Sequence, residues 1–188
     1  MPEFISKQDI KDLVEGTATR DTIRRAQHED PKDPDRFWKY VEVLQEKTGF
    51  TDKILLRLTD HLYIVRNEDN SRVVKCDCGY EFGDYRNNWK VLARVYVRKT
   101  AEEIGEIYTI QSCAPEAGWA EVREFYCPGC AAQLAVEVVP PGYPILFEML
   151  PDLDTFYRDW MGKPLEDERP DWYQDTTPSL LSEWIRQR

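Results

Sequence analysis

The sequence predicts an α+β fold: a zinc-ribbon-like antiparallel β module with flanking N- and C-terminal helices. Three observations predict it. Apolar residues recur at helical spacing before residue 50 and again after residue 150; short β-branched runs fill the middle; and four of the five cysteines fall in two close pairs at the ends of such runs. The expected division is a helical N-terminal arm over 1–50, a zinc-binding β module over 51–145, and a C-terminal helix and tail over 146–188. A chain of 188 residues buries roughly 70% of its unfolded surface, enough to fold without disulfides.

In the arm, Ser6 followed by Asp9 caps a short helix whose Ile10, Leu13 and Val14 share one side and which ends at Gly16. A second helix is expected from about Asp21 to His28. Asp33 before Pro34 caps the third, along which Phe37, Tyr40, Val41 and Leu44 form a stripe running to Gly49. That stripe is a docking face, for this chain's core or for a neighbour, and periodicity does not separate the two.

From Ile54 to Val139 the texture is β. His61–Arg66, a polar turn at 67–71 and Arg72–Lys75 read as a hairpin that delivers Cys76 at its end. Val91 to Arg98 alternates and is expected as a strand, with Arg94, Tyr96 and Arg98 on one face. Thr100 with Glu103 forms a capping box for a helix reaching about Tyr108. A loop with Cys113, Pro115 and Gly118 leads into a strand from Trp119 to Tyr126 that ends at Cys127, and Leu134–Val139 is its return. Pro140–Pro144 is expected as a stiff extended stretch. Asp152 caps a last helix carrying Leu153, Phe156, Tyr157 and Trp160 on one side. The charged run Glu166–Asp171 then reads as a tail, with a helical turn over Ser179–Arg188 docking through Leu180, Leu181 and Trp184.

Composition narrows the function. Lys plus Arg number 25 against 35 Asp plus Glu, a formal charge of −10, which disfavours attraction to phosphate backbones and anionic lipids. No nucleic-acid partner is expected; the alternative, a stand-alone zinc-ribbon binding module for protein or nucleic acid, needs a local cationic and aromatic face such as Arg94, Tyr96 and Arg98. Met1–Phe4 lacks a basic stretch before an apolar run, and the longest uncharged stretch, Phe125–Val136, is far shorter than the roughly 18 residues of a membrane span. These features, with an odd number of cysteines, lead to the expectation of a cytoplasmic protein without membrane or export segment. The 7 Phe, 10 Tyr and 6 Trp suit a protein interface as well as a core.

Cys76-Asp77-Cys78-Gly79 and Cys127-Pro128-Gly129-Cys130 each place two sulfurs on a tight turn, with Gly79 and Gly129 allowing the backbone to turn sharply. Four thiolates in this arrangement are the ligand set of a structural zinc: Cys76, Cys78, Cys127 and Cys130. The first pair has one intervening residue, and 48 residues separate the pairs, against about 15 to 20 in the commonest ribbon. Buried thiols without metal, a redox dithiol at Cys127–Cys130 and iron in the same cage remain alternatives; the redox motif needs a helix after its first sulfur, where Val136, Val138 and Val139 favour a strand. A closed sphere leaves no site for water, so the ion is expected to be structural. Cys113 reads as a spectator thiol, and His28 and His61, the two histidines, as ordinary helix and strand-edge residues. No residue is assigned a catalytic role.

At Pro31-Lys32-Asp33-Pro34-Asp35-Arg36-Phe37, Tyr40–Glu46, Asp52-Lys53-Ile54, Cys76–Phe82, Asp84, Asn88-Trp89-Lys90, Ala93-Arg94-Val95 and Arg123–Pro128, the sequence resembles the acetone carboxylase gamma subunit family, over about residues 30 to 162. The resemblance implies a complex that joins a ketone to bicarbonate with ATP through phosphorylated intermediates. It implies also that larger alpha and beta subunits carry ATP and a catalytic divalent metal, and that this chain is their small zinc-bearing partner in a heterohexamer. A complex acting on an aromatic ketone such as acetophenone is similar at this level. The tail beyond Gly162 is longer than the family leads one to expect.

Overall fold

A computed structural model describes residues 4–186; Met1–Glu3, in the stretch inspected for an export signal, and the last two residues of the expected Ser179–Arg188 turn lie outside it. Helices α1 (Lys7–Glu15), α2 (Arg20–His28) and α3 (Arg36–Thr48) open the chain. The capping box of Ser6 and Asp9 forms, and Gly16 closes α1 in the left-handed region that glycine adopts without strain. The start of α3 falls later than expected. Asp33 caps the turn before the helix, accepting the Asp35 N–H at 2.9 Å, while its other oxygen is held by Lys39 at 2.6 Å.

Seven strands follow in two antiparallel sheets, β1-β2-β3-β4 and β5-β6-β7. The first comprises β1 (Lys53–Thr59), β2 (Leu62–Arg66), β3 (Arg72–Cys76) and β4 (Glu81–Asp84). The apolar run Leu62–Val65 is buried on both faces. Leu62 and Ile64 join the main core with Leu55, Val74 and Phe82, whereas Tyr63 and Val65 pack with Leu44 of α3. The α3 stripe therefore serves this chain's own core: Leu44 is buried, and Phe37 and Trp38 lean on the main cluster against Tyr157.

The second sheet comprises β5 (Arg94–Arg98), β6 (Glu121–Tyr126) and β7 (Gln133–Val139). The strand expected from Val91 starts three residues later, because the Asn88 side chain accepts the Lys90 N–H and winds Trp89–Leu92 into a 3-10 turn. Helix α4 (Ala101–Gly105) keeps its Thr100–Glu103 capping box but stops short of Tyr108, where the Gln111 amide donates to the carbonyls of Gly105 and Tyr108. Trp89 bridges the sheets, edge-on to Phe82 at 6.0 Å and to Phe125 at 6.3 Å. Beyond β7 the proline stretch turns instead of extending: the Tyr143 N–H reaches the Pro140 carbonyl at 3.1 Å, with Gly142 at φ 78°.

Asp152 caps α5 (Leu153–Thr155), which widens into a π-helical turn over Phe156–Trp160. The wider turn carries Trp160 off the stripe, leaving it exposed while Leu153 and Tyr157 are buried and the Tyr157 hydroxyl donates to the Leu55 carbonyl at 2.8 Å. The charged run is not a tail. Leu165 and Trp172 belong to the main core, and the carboxylate of Asp167 between them pairs with Arg72 and Arg66. This strap ends where Thr177 accepts the Asn88 N–H at 2.8 Å, and α6 (Thr177–Arg186) follows with Leu181 and Trp184 exposed rather than docked. Among the described residues, no helix is long and apolar enough to cross a membrane.

Candidate metal centre

The two cysteine pairs sit on turns from different sheets. Cys76 ends β3, and the turn into β4 is closed by the Gly79 N–H on the Cys76 carbonyl at 2.8 Å and the Cys76 N–H on the Tyr80 carbonyl at 2.9 Å. Cys127 follows β6, and its turn is closed in the same way, Ala131 N–H to Cys127 carbonyl and Cys127 N–H to Ala132 carbonyl, both at 2.9 Å. Such turns aim both sulfurs of a pair to one side.

The structure brings all four sequence-predicted residues together. Every sulfur lies within 4.8 Å of the other three, with Cys76 and Cys130 at 3.8 Å and Cys78 and Cys127 at 3.7 Å. A tetrahedral ion with zinc–sulfur bonds of about 2.3 Å requires sulfur–sulfur edges of about 3.8 Å, whereas a disulfide requires about 2.05 Å. The donor set fits a four-coordinate thiolate-loving ion and is not a set of disulfides.

Burial divides the four into an inner pair, Cys76 and Cys127, wholly within the core, and an outer pair, Cys78 and Cys130, at the surface. Burial pushes the Cys76 and Cys78 thiols up, with Cys127 and Cys78 adding to the rise at Cys76 and Cys130 and Cys127 to that at Cys78; the Ala132 N–H beside Cys130 draws that thiol down. The Gly129 N–H donates to Cys127 Sγ at 3.4 Å. A cation at the centre reverses the repulsion among four sulfurs and favours their thiolate forms.

The two glycines differ in role. Gly79 occupies the left-handed region at φ 89°, as a sharp turn requires. Gly129 has no such dihedral. A Cβ there would stand 3.0 Å from Tyr80 Cβ and 3.2 Å from Cys78 Sγ, so it is the close approach of the two turns that requires glycine. The left-handed position of the second turn is taken by Ala131 at φ 59°. The crowding at Gly129 was hidden from the sequence, since it depends on where the other turn lies.

Other singled-out residues stand apart from the sulfurs or support them. Cys113 is an exposed thiol in the connection between β5 and β6. His28 ends α2. His61 lies at the β1–β2 turn, with Nδ1 2.6 Å from Asp77, and the Asp77 N–H returns to the His61 carbonyl at 3.0 Å. This double link ties the first cysteine turn to the neighbouring hairpin, a supporting role the sequence did not disclose.

Comparison with known proteins places this architecture. The family model of the acetone carboxylase gamma subunit matches residues 48–161, which include both cysteine turns. The acetone carboxylase gamma subunit of Xanthobacter autotrophicus is 41% identical over 167 residues, covering 88% of this chain and 98% of that protein. The acetophenone carboxylase beta subunit of Aromatoleum aromaticum is 32% identical over 101 residues, covering 53% of this chain and 77% of that protein. With the family model spanning more than half of the sequence and a relative matched nearly end to end, the chain belongs to the acetone carboxylase gamma subunit family.

Proposed function

We propose that this chain is the small zinc-binding structural subunit of an ATP-dependent ketone carboxylase, whose complex joins acetone and bicarbonate into a β-keto acid. Cys76, Cys78, Cys127 and Cys130 hold the ion, and the ion supplies a crosslink between two sheets, with no open position for water. Larger alpha and beta subunits carry ATP and the catalytic divalent metal, and the assembly is a cytoplasmic heterohexamer. One observation carries the structural role: two turns 49 residues apart present sulfur edges that fit a tetrahedral ion, in a chain of the gamma subunit family.

The runner-up substrate is an aromatic ketone, as the name of the Aromatoleum aromaticum relative suggests, but that match covers 53% of this chain against 88% for the acetone relative. A nucleic-acid module is poorly supported: Arg98, at the end of the cationic face of β5, is held by Glu124 and Glu106, both at 2.7 Å.

Co-expression of this chain with the two larger subunits tests the proposal. The expected result is a complex of fixed stoichiometry with about one zinc per copy of this chain, carboxylating acetone faster than acetophenone only when ATP and bicarbonate are present. A chain that purifies alone, binds no metal or shows the visible band of an iron–thiolate centre overturns it.

A further inference from the structure

β5 and β6 are neighbouring antiparallel strands, yet residues 99–120 lie between them. Such neighbours are ordinarily joined by about two to five residues, and connections longer than about 12 to 15 are uncommon and usually functional. This one contributes little to its own protein. Ile104 is its one buried residue, while Ile107 is 40% exposed, Ile110 62% and Trp119 78%.

Its charge is one-sided. Between Lys99 and Arg123 there is no Lys or Arg, but there are Glu102, Glu103, Glu106, Glu116 and Glu121. Glu106 is engaged by Arg98 and Glu121 by Arg123. Glu103 is spent on the backbone amides of Lys99 and Thr100. Glu102 and Glu116 are exposed and have no cationic partner among the described residues.

We propose that this connection is the docking element for a larger carboxylase subunit, inserting Trp119 and Ile110 into an apolar pocket rimmed by Lys and Arg side chains. The proposal rests on the subunit reading above. An exposed indole on a connection that also exposes Ile107 and Ile110 has the composition of an interface anchor, and the unpaired carboxylates of Glu102 and Glu116 select a basic counterpart. The same carboxylates oppose the other occupants. A second copy would bring carboxylates against carboxylates, and nucleic acid or anionic lipid would be repelled.

The test uses the full zinc-loaded chain and the larger subunits, with affinity measured by sedimentation at low and high ionic strength. Trp119→Ala is expected to weaken association by about 30-fold or more. The double substitution Glu102→Lys with Glu116→Lys is expected to weaken it at low salt and to remove its weakening by added salt. Trp160→Ala, at a site of 77% exposure elsewhere on the surface, is expected to leave affinity unchanged, and all three variants keep wild-type zinc content. If the wild-type chain assembles and Trp119→Ala assembles equally well, this docking element is overturned while the subunit reading stands. If the wild-type chain fails to assemble, both fall. A wild-type chain that dimerises alone through Trp119 assigns the surface to a second copy and overturns the proposal.

Discussion

Arg72 on β3 donates from Nε to Asp167 at 2.8 Å across a separation of 95 residues, and from Nη2 to Asp154 at 2.6 Å. Its side chain has no solvent exposure, and its guanidinium lies 4.6 Å from the centre of the Trp172 ring. One buried cation thus fixes the C-terminal strap to the first sheet by bridging two carboxylates, of which Asp167 is also paired with Arg66.

Arg72→Met is predicted to destabilise the chain by about 3–5 kcal/mol, because removing one side of a buried ion pair leaves the remaining charges uncompensated. Urea unfolding measures it. Combining Arg72→Met with Asp154→Asn and Asp167→Asn is expected to recover part of the loss, since the charges vanish together. A loss below about 1 kcal/mol in the single variant, the range of exposed pairs, would contradict the arrangement.

The same site sets a pH dependence. Burial pushes the Asp167 carboxyl up, but its bonds to Arg72 and Arg66 outweigh this and hold it below the ordinary carboxylate range. Asp33 behaves alike, burial being outweighed by Lys39 and the Asp35 N–H. A carboxylate depressed in the folded state contributes stability that is present above its unfolded value, about 3.9, and lost as pH falls through the folded value. Stability is therefore predicted to fall steeply below about pH 4, and Asp167→Asn to flatten that fall. Unfolding free energies from pH 6 to pH 2, near-parallel for the two proteins, would refute it.

What the sequence disclosed and what it hid divide by distance along the chain. The caps of α1 and α4 were readable because Ser6 and Asp9, or Thr100 and Glu103, are three residues apart and complete in themselves. The cysteine pairs were readable because thiols at two turns have few other uses. Glu166–Asp171 looked like a solvated tail because its partner, Arg72, lies on β3. Strand β4 was missed because it is four residues long, with one buried side chain, Phe82, and Gly83 beside it. The α3 stripe was plain, but its destination was not, since Leu44 meets Ile54 and Tyr63 only once the first sheet has formed.

Gly129→Ala is predicted to impair the metal centre more than Gly79→Ala. A methyl group at 129 must displace Tyr80 Cβ or Cys78 Sγ, and the former is fixed to the backbone. A 10- to 100-fold loss of zinc affinity is expected, the usual scale for disturbing the support of a metal site. At Gly79 no atom lies within 4 Å of an added Cβ, so only left-handed strain of about 1–2 kcal/mol applies. Competition with a chromophoric chelator ranks the two, and equal affinities would count against the close approach of the turns.

Metal removal separates the roles of the inner and outer sulfurs. Cys127 is buried in the core beside Leu134 and Phe82, whereas Cys130 is at the surface. Cys127→Ser is predicted to lose the ion and also to leave a hydroxyl in an apolar setting, a further penalty of about 1–3 kcal/mol. Cys130→Ser places its hydroxyl where water reaches it, so only the loss of the fourth ligand remains. Both variants are expected to bind zinc weakly, but Cys127→Ser should melt at the lower temperature even with excess chelator present. In the wild-type chain, chelation should expose four additional titratable thiols as the ion departs and lower the melting temperature, because among the described residues no disulfide joins the β3–β4 turn to the β6–β7 turn. Identical melting of the loaded and chelated protein would show that the ion contributes nothing to holding the sheets together.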